Sequence, residues 1–152
     1  MGQYCSSEVN LVVAESGASH LSAYQGRYTM KFRPDADPAT ANPRDSEAIY
    51  YTSDENVIWY QGRWRVGPLS TWDGSGTGDI VAQNSEPFIM SGDERRESPY
   101  CPHDLSLHFY NGYNIDMNFN WRYLDTHGEW TASEPNGVYT LPGKFPFRLF
   151  NV

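Results

Sequence analysis

The stretch AIYYTSDENVIWYQGRWRVG, Ala48 to Gly67, decides the fold class. Ala48–Thr52 and Val57–Gln61 are runs of β-branched and aromatic residues on either side of the turn-forming Ser53-Asp54-Glu55-Asn56, and Arg63–Gly67 follows through Gly62. Such residues favour strands, and glycine supplies the positive φ that tight turns need. Three short strands joined by two turns make a meander, the local signature of an antiparallel sheet.

The same chemistry recurs outward from this stretch. The tetrapeptide Tyr-Gln-Gly-Arg occurs at Tyr24–Arg27 and again at Tyr60–Arg63, each time followed by an aromatic residue, Tyr28 or Trp64. Looser echoes are Tyr110-Asn111-Gly112-Tyr113 and Gly128-Glu129-Trp130. The spacings between Gly26, Gly62 and Gly112 are unequal, whereas trefoils and propellers repeat at constant period. The echo therefore reads as recurrent hairpin chemistry, with each copy expected to turn one strand into the next.

Further strands are expected at Glu8–Ala14, Tyr24–Phe32, Ile80–Gln83, Pro87–Met90, Leu105–Tyr110, Tyr113–Leu124, Glu129–Ala132, Val138–Leu141 and Phe145–Phe150. In Tyr24–Phe32 the residues Tyr28, Met30 and Phe32 alternate with Arg27, Thr29 and Lys31, a period of two that separates an apolar from a charged face. Glu15–Ser22 is small and polar and reads as a loop or a short irregular turn, and no window carries sustained, capped helical periodicity. Residues 33–46 hold Pro34, Pro38 and Pro43 and read as a long loop; residues 91–104 read as a second. The sum is one all-β domain of 152 residues. It is an antiparallel β-sandwich or a small curved β-barrel of about ten short strands.

Composition narrows the function classes. A net charge of -8 with 11 scattered Lys and Arg gives no basic stripe for a phosphate backbone, which excludes nucleic acid as the expected partner and disfavours anionic membrane surfaces. The longest apolar run, Leu11-Val12-Val13-Ala14, is far below the roughly 20 residues of a membrane helix, so no membrane insertion is expected. Met1-Gly2-Gln3-Tyr4-Cys5 lacks the basic start and apolar stretch of a signal peptide, which fits a cytosolic protein or a mature form whose leader was removed. Cys5 and Cys101 are the only cysteines, too few for a structural zinc site. They form either one Cys5–Cys101 disulfide or two buried thiols, and the proline-rich polar surroundings of Cys101 favour the bridge.

Tyr113–Leu124 alternates most cleanly. Asn114, Asp116, Asn118, Asn120 and Arg122 fall on one face; Tyr113, Ile115, Met117, Phe119, Trp121 and Tyr123 fall on the other. Asn and Asp are poor strand formers, so a row of them suggests a face chosen for hydrogen bonding. Amides offer paired donors and acceptors for a hydroxyl-rich ligand, and an aromatic side chain offers a flat platform for a sugar ring. The expected function is a non-enzymatic, lectin-like module for carbohydrate or another polar small ligand. Asn114, Asp116, Asn118, Asn120 and Arg122 bond the ligand, Trp64 or Trp130 stacks on it, and Trp121 turns inward.

Other constellations carry less. Asp73, Ser75, Thr77 and Asp79 place oxygens at alternate positions of a Gly-rich loop and resemble a calcium loop, although the twelfth place is Asn84 where a bidentate Glu is usual. His103, Asp104 and His108 cluster at a strand start and could be joined by His20 or His127. The alternative function is a small barrel enclosing an apolar ligand, as a carrier or a cofactor-free isomerase or cyclase. Tyr113, Met117, Phe119 and Tyr123 then line the cavity, and Asp116 or a histidine polarises the substrate. An assembly or matrix role rests on the acidic, aromatic-rich composition alone.

Overall fold

A computed structural model of the chain describes residues 5–74, 78–84, 101–102, 121–133 and 137–142. Its elements run β1 (Glu8–Val13), α1 (Glu15–Ala18) with a 3-10 turn over Ser19–Tyr24, β2 (Gly26–Phe32), β3 (Ile49–Thr52), β4 (Asn56–Tyr60), β5 (Trp64–Pro68), β6 (Ala82–Asn84), β7 (Trp121–Leu124), β8 (Trp130–Ala132) and β9 (Val138–Pro142). The nine strands form one antiparallel sheet in the order β8-β7-β6-β5-β4-β3-β2-β1-β9. The sheet is strongly curled into a half-barrel, so the curved form of the expected architecture is the one adopted. The expected strands at 87–90, 105–110 and 145–150, and residues 113–120 of the long strand, lie outside the described residues.

Alternation sorts the two faces. Registers such as Val9↔Tyr28, Met30↔Tyr51, Tyr51↔Ile58, Ile58↔Val66, Val66↔Ala82 and Ala82↔Tyr123 place one apolar set on the concave side. With Leu11, Val13, Ile49, Trp64, Trp121 and Val138 they form a single cluster, buried throughout except for Met30, which packs against it half-buried. Burying a side chain of this size stabilises the fold by about 1.5–3 kcal/mol each before entropy is counted. A smaller cluster of Val57, Trp59 and Trp72 lies on the convex side, where Tyr50, Leu69 and Ile80 pack against it. Gly67 permits this cover: a Cβ there would collide with the backbone carbonyl of Asp79.

The chain runs from β8 at one end of the sheet to β9 at the other, and side chains join the ends. The Trp121 indole Nε1 donates to Thr140 Oγ1 at 2.7 Å, and the Thr140 hydroxyl donates to the Pro102 carbonyl at 2.7 Å. Tyr139 donates to the Ser133 carbonyl at 3.1 Å. Pro102 follows Cys101, whose disulfide to Cys5 spans 96 residues and ties this seam to the segment before β1. The bridge replaces the alternative of two thiols.

Two local expectations are sharpened. Of the loop or short turn expected at Glu15–Ser22 the turn is adopted, as α1 and the 3-10 turn over Glu15–Tyr24, although no side chain caps either. Its buried Ala18 and Leu21 join the main cluster, so tertiary packing holds what propensity does not. The two Tyr-Gln-Gly-Arg copies also differ. Tyr60–Arg63 is the β4–β5 hairpin, with Gly62 at φ 75° and Gln61 N–H donating to the Arg63 carbonyl at 2.9 Å. Tyr24–Arg27 leads out of the 3-10 turn into β2, and Gln25 Oε1 accepts from the Val13 N–H at 3.0 Å. The same four residues close a hairpin where two strands flank them and start a strand where a helical turn precedes them. No helix among the described residues is long and apolar enough to cross a membrane.

Candidate functional site

β5, β6 and β7 are neighbours, and their register sets one outward residue from each in a row: Arg65↔Gln83 and Gln83↔Arg122. Each follows from alternation, since Trp64, Ala82 and Trp121 beside them face the core. Arg65 is held at both ends, its Nε donating to the Gln61 carbonyl at 3.0 Å and its Nη1 to Gln83 Oε1 at 3.0 Å. Burial, with the Arg63 charge beside it, lowers the Arg65 pKa from its usual value. Arg63 itself reaches the Asn84 carbonyl at 3.4 Å. At one side of the row stands Trp59, paired with Arg65 in register and packed at 5.9 Å against Trp72.

On the other side the row meets β8. Arg122 is opposite Ala132 and Leu124 is opposite Trp130, so Arg122 and Trp130 are diagonal neighbours on the outward face. Diagonal positions in an antiparallel pair lie about 7–8 Å apart, within reach of a long side chain and a ring. The turn that presents Trp130 is tightly tied. Asp125 Oδ1 accepts from the His127 N–H at 2.8 Å and the Glu129 N–H at 2.9 Å, and Oδ2 accepts from the Thr131 hydroxyl at 3.1 Å. The Glu129 N–H above all, helped by His127 and Thr131, holds the Asp125 carboxyl below the usual carboxylate range. The exposed His20 Nε2 donates to the Leu124 carbonyl at 2.7 Å, which braces the same hairpin.

The residues expected from sequence separate sharply here. Arg122 and Trp130 come together at the surface. Trp64 does not join them: it is fully buried on the inner face, edge-on to Tyr60 at 5.4 Å and to Tyr51 at 6.2 Å. Its backbone N–H donates to the buried Asn84 amide oxygen at 2.6 Å. Trp64 is therefore a core residue, and a stacking platform on the outer face has to be Trp130. Trp121 turns inward as expected. Asn114, Asp116, Asn118 and Asn120 lie outside the described residues, as do His103, Asp104 and His108, and Tyr113, Met117 and Phe119. Tyr123 is described, buried in the core beside the His20 ring.

Of the suggested calcium ligands Asp73 and Asp79 are exposed, while Ser75 and Thr77 lie outside the described residues. The loop carries a cation of its own: the Arg33 guanidinium sits 5.7 Å over the Trp72 ring and fills the space that a Cβ on Gly74 would need. Among the described residues no group of three or more His, Cys, Asp or Glu could hold a metal ion.

Sequence reading missed Arg65 and Gln83. Each shows the right local sign, a polar residue between two inward ones, but nothing nearby says that β5, β6 and β7 are neighbours. Comparison with known proteins adds no further guide: no family model, curated protein or solved structure matches the chain.

Proposed function

We propose that the protein is a non-enzymatic binding module for carbohydrate or another polar small ligand, and that the ligand lies across the outer face of β5 to β8. One observation carries this reading. The chain has five tryptophans. Trp59, Trp64, Trp72 and Trp121 are buried, and Trp130 alone is exposed, at 38%. An indole left in water on an edge strand, diagonal to an exposed arginine, supplies what a sugar needs: a flat apolar platform beside directional donors. Gln83 and Arg65 extend the hydrogen-bonding row behind it. Asn114, Asp116, Asn118 and Asn120 share the parity of Arg122 in sequence and lie outside the described residues; the reading stands on Arg122 and Trp130 without them.

The test is a glycan array followed by polysaccharide pull-down with the intact chain. Binding is expected, with at least a tenfold loss in Trp130→Ala and in Arg122→Gln, while the melting temperature stays within about 2 °C of the parent. An array with no bound glycan, or binding unchanged in both variants, overturns the reading.

A further inference from the structure

We infer that the outer edge of β8 is a docking site for an added strand, an extended peptide of alternating basic and apolar residues from another protein. The inference goes beyond the carbohydrate reading, since it uses the edge of the sheet where that reading uses its face. β8 and β9 end the sheet, and the fold treats them differently. β9 is sealed, with Val138, Tyr139, Thr140 and Leu141 all buried. β8 is open: Trp130 and Ala132 are exposed and Thr131 is half-buried.

The register fixes where the β8 backbone points. In an antiparallel pair, hydrogen-bonded residue pairs alternate with pairs that turn their N–H and C=O groups away. The Ser133 N–H donates to the Trp121 carbonyl at 3.0 Å, and the Asp125 N–H to the Glu129 carbonyl at 2.9 Å. Tyr123 and Thr131, midway between them, are therefore the bonded pair, and Arg122↔Ala132 and Leu124↔Trp130 are not. The Leu124 N–H accordingly turns away from β8 and donates to the Val81 carbonyl at 2.9 Å. On β8 the N–H and C=O of Trp130 and of Ala132 point out of the edge, and among the described residues no partner meets them. Native edges are commonly guarded by lysine, proline or a covering segment; Trp130-Thr131-Ala132 has neither lysine nor proline and stands exposed. Such a row of open backbone groups is the receiving half of strand addition.

Size and charge choose the occupant. Three residues span about 10 Å, so pairing this edge with that of a second copy buries far less than the roughly 1,200 Å² of a stable interface. A short peptide strand fits the same edge. On the outward side it meets Trp130 and Ala132, an apolar pair, and the Arg122 charge opposite Ala132 disfavours a cation there. On the other side it meets Thr131, whose hydroxyl donates to Asp125 Oδ2, with Glu129 opposite Asp125 in the ladder. The Asp125 carboxyl is held below its usual range and stays charged, and Glu129 is exposed. Alternation in the added strand therefore puts an apolar residue outward and Lys or Arg on the carboxylate side. The net charge of -8 draws a basic peptide to the protein before contact.

The experiment titrates the isotope-labelled intact protein with an alternating Lys-Val octapeptide, its Glu-Val counterpart, and the Lys-Val peptide N-methylated at every residue. The Lys-Val peptide is expected to shift the Trp130 and Ala132 amide resonances and to slow their hydrogen exchange. The Glu-Val and N-methylated peptides are expected to bind at least tenfold more weakly. Ala132→Pro removes one outward donor and no ladder bond, so it is expected to weaken the Lys-Val peptide at least tenfold with the melting temperature within about 2 °C of the parent. If that variant melts lower, the N-methylated peptide on the parent protein decides. Equal binding of the Lys-Val and N-methylated peptides, or of the Lys-Val and Glu-Val peptides, overturns the inference. So does full affinity in Ala132→Pro, or no shift in β8 at about 1 mM Lys-Val peptide. Trp130 and Ala132 shifts that grow with protein concentration alone assign the edge to a second copy and overturn it as well. Glycan binding is read separately, so the carbohydrate reading survives each of these failures.

Discussion

Trp64 and Trp130 occupy the same local sentence and meet opposite fates. Each stands two residues after a positive-φ glycine, in Gly62-Arg63-Trp64 and Gly128-Glu129-Trp130, with Gly62 at φ 75° and Gly128 at φ 78°. Each opens the second strand of a hairpin. Trp64 is sealed in the core, and Trp130 is 38% exposed. The face of the residue that ends the first strand makes the difference, because each turn pairs the tryptophan directly with it. In the β4–β5 hairpin Tyr60 pairs with Trp64, and both face inward; in the β7–β8 hairpin Leu124 pairs with Trp130, and both face outward. A strand side chain changes face with every residue, so the register that the turn sets decides which tryptophan is core and which is surface.

The largest expected effect tests the sealed side of that comparison. Trp64→Ala removes a ring packed against Tyr51 and Tyr60 and is expected to cost about 3–5 kcal/mol in denaturant titration. A loss below about 1 kcal/mol would mean that the inner face collapses around the gap and is not a fixed core. Next comes the seam that closes the same interior. Removing the disulfide in the double variant Cys5→Ser, Cys101→Ser is expected to cost about 2–4 kcal/mol, since the bridge restrains a long loop of the unfolded chain. Because Cys101 precedes Pro102, which receives the Thr140 hydroxyl, the Trp121 fluorescence environment is expected to change as well. Unchanged fluorescence with lowered stability would confine the bridge to the unfolded state.

The third test acts on the turn that sets Trp130 outward. The Asp125 carboxyl is held below its ordinary range in the folded protein. A depressed carboxylate contributes stability above the unfolded value, about 3.9, and loses it as pH falls through the lower folded value. The β7–β8 hairpin is thus expected to loosen in acid below the ordinary aspartate range, read by the Glu129 amide resonance and by Trp130 emission. Asp125→Ala should lack that acid step. An acid step that persists in Asp125→Ala would assign it to another carboxylate.

What the sequence made legible follows from how local each cause is. Alternation in Arg27–Phe32, Ile49–Thr52 and Val57–Val66 encodes strands within a few residues, and those strands are present where expected. Pairing across distance has no such local mark. The β1–β9 ladder, with Leu11 opposite Thr140, and the seam from Trp121 to Thr140 join residues far apart in the chain. The helical turn at Ser19–Tyr24 is likewise invisible, because Leu21 earns its place from the core and not from capping. Of the site, alternation correctly set Arg122 outward and Trp121 inward. It could not choose between Trp64 and Trp130, since that choice lies in the register of two different hairpins, and it could not set Arg65 and Gln83 beside Arg122.

Trp130→Ala gives the smallest effect on stability and the sharpest on function. The residue stands on a three-residue edge strand and belongs to neither buried cluster. Its removal should change unfolding free energy by no more than about 0.5 kcal/mol, the range of ordinary surface substitutions. Trp64→Ala, by contrast, should unfold the protein readily and leave little to bind. The pair therefore separates two meanings of an aromatic residue that composition alone counts alike. If Trp130→Ala keeps its fold and loses sugar binding at least tenfold, about 1.4 kcal/mol, the outer face is a platform. If it loses stability as Trp64→Ala does, the ring is part of the packing of β8, and the site has to be sought away from that edge.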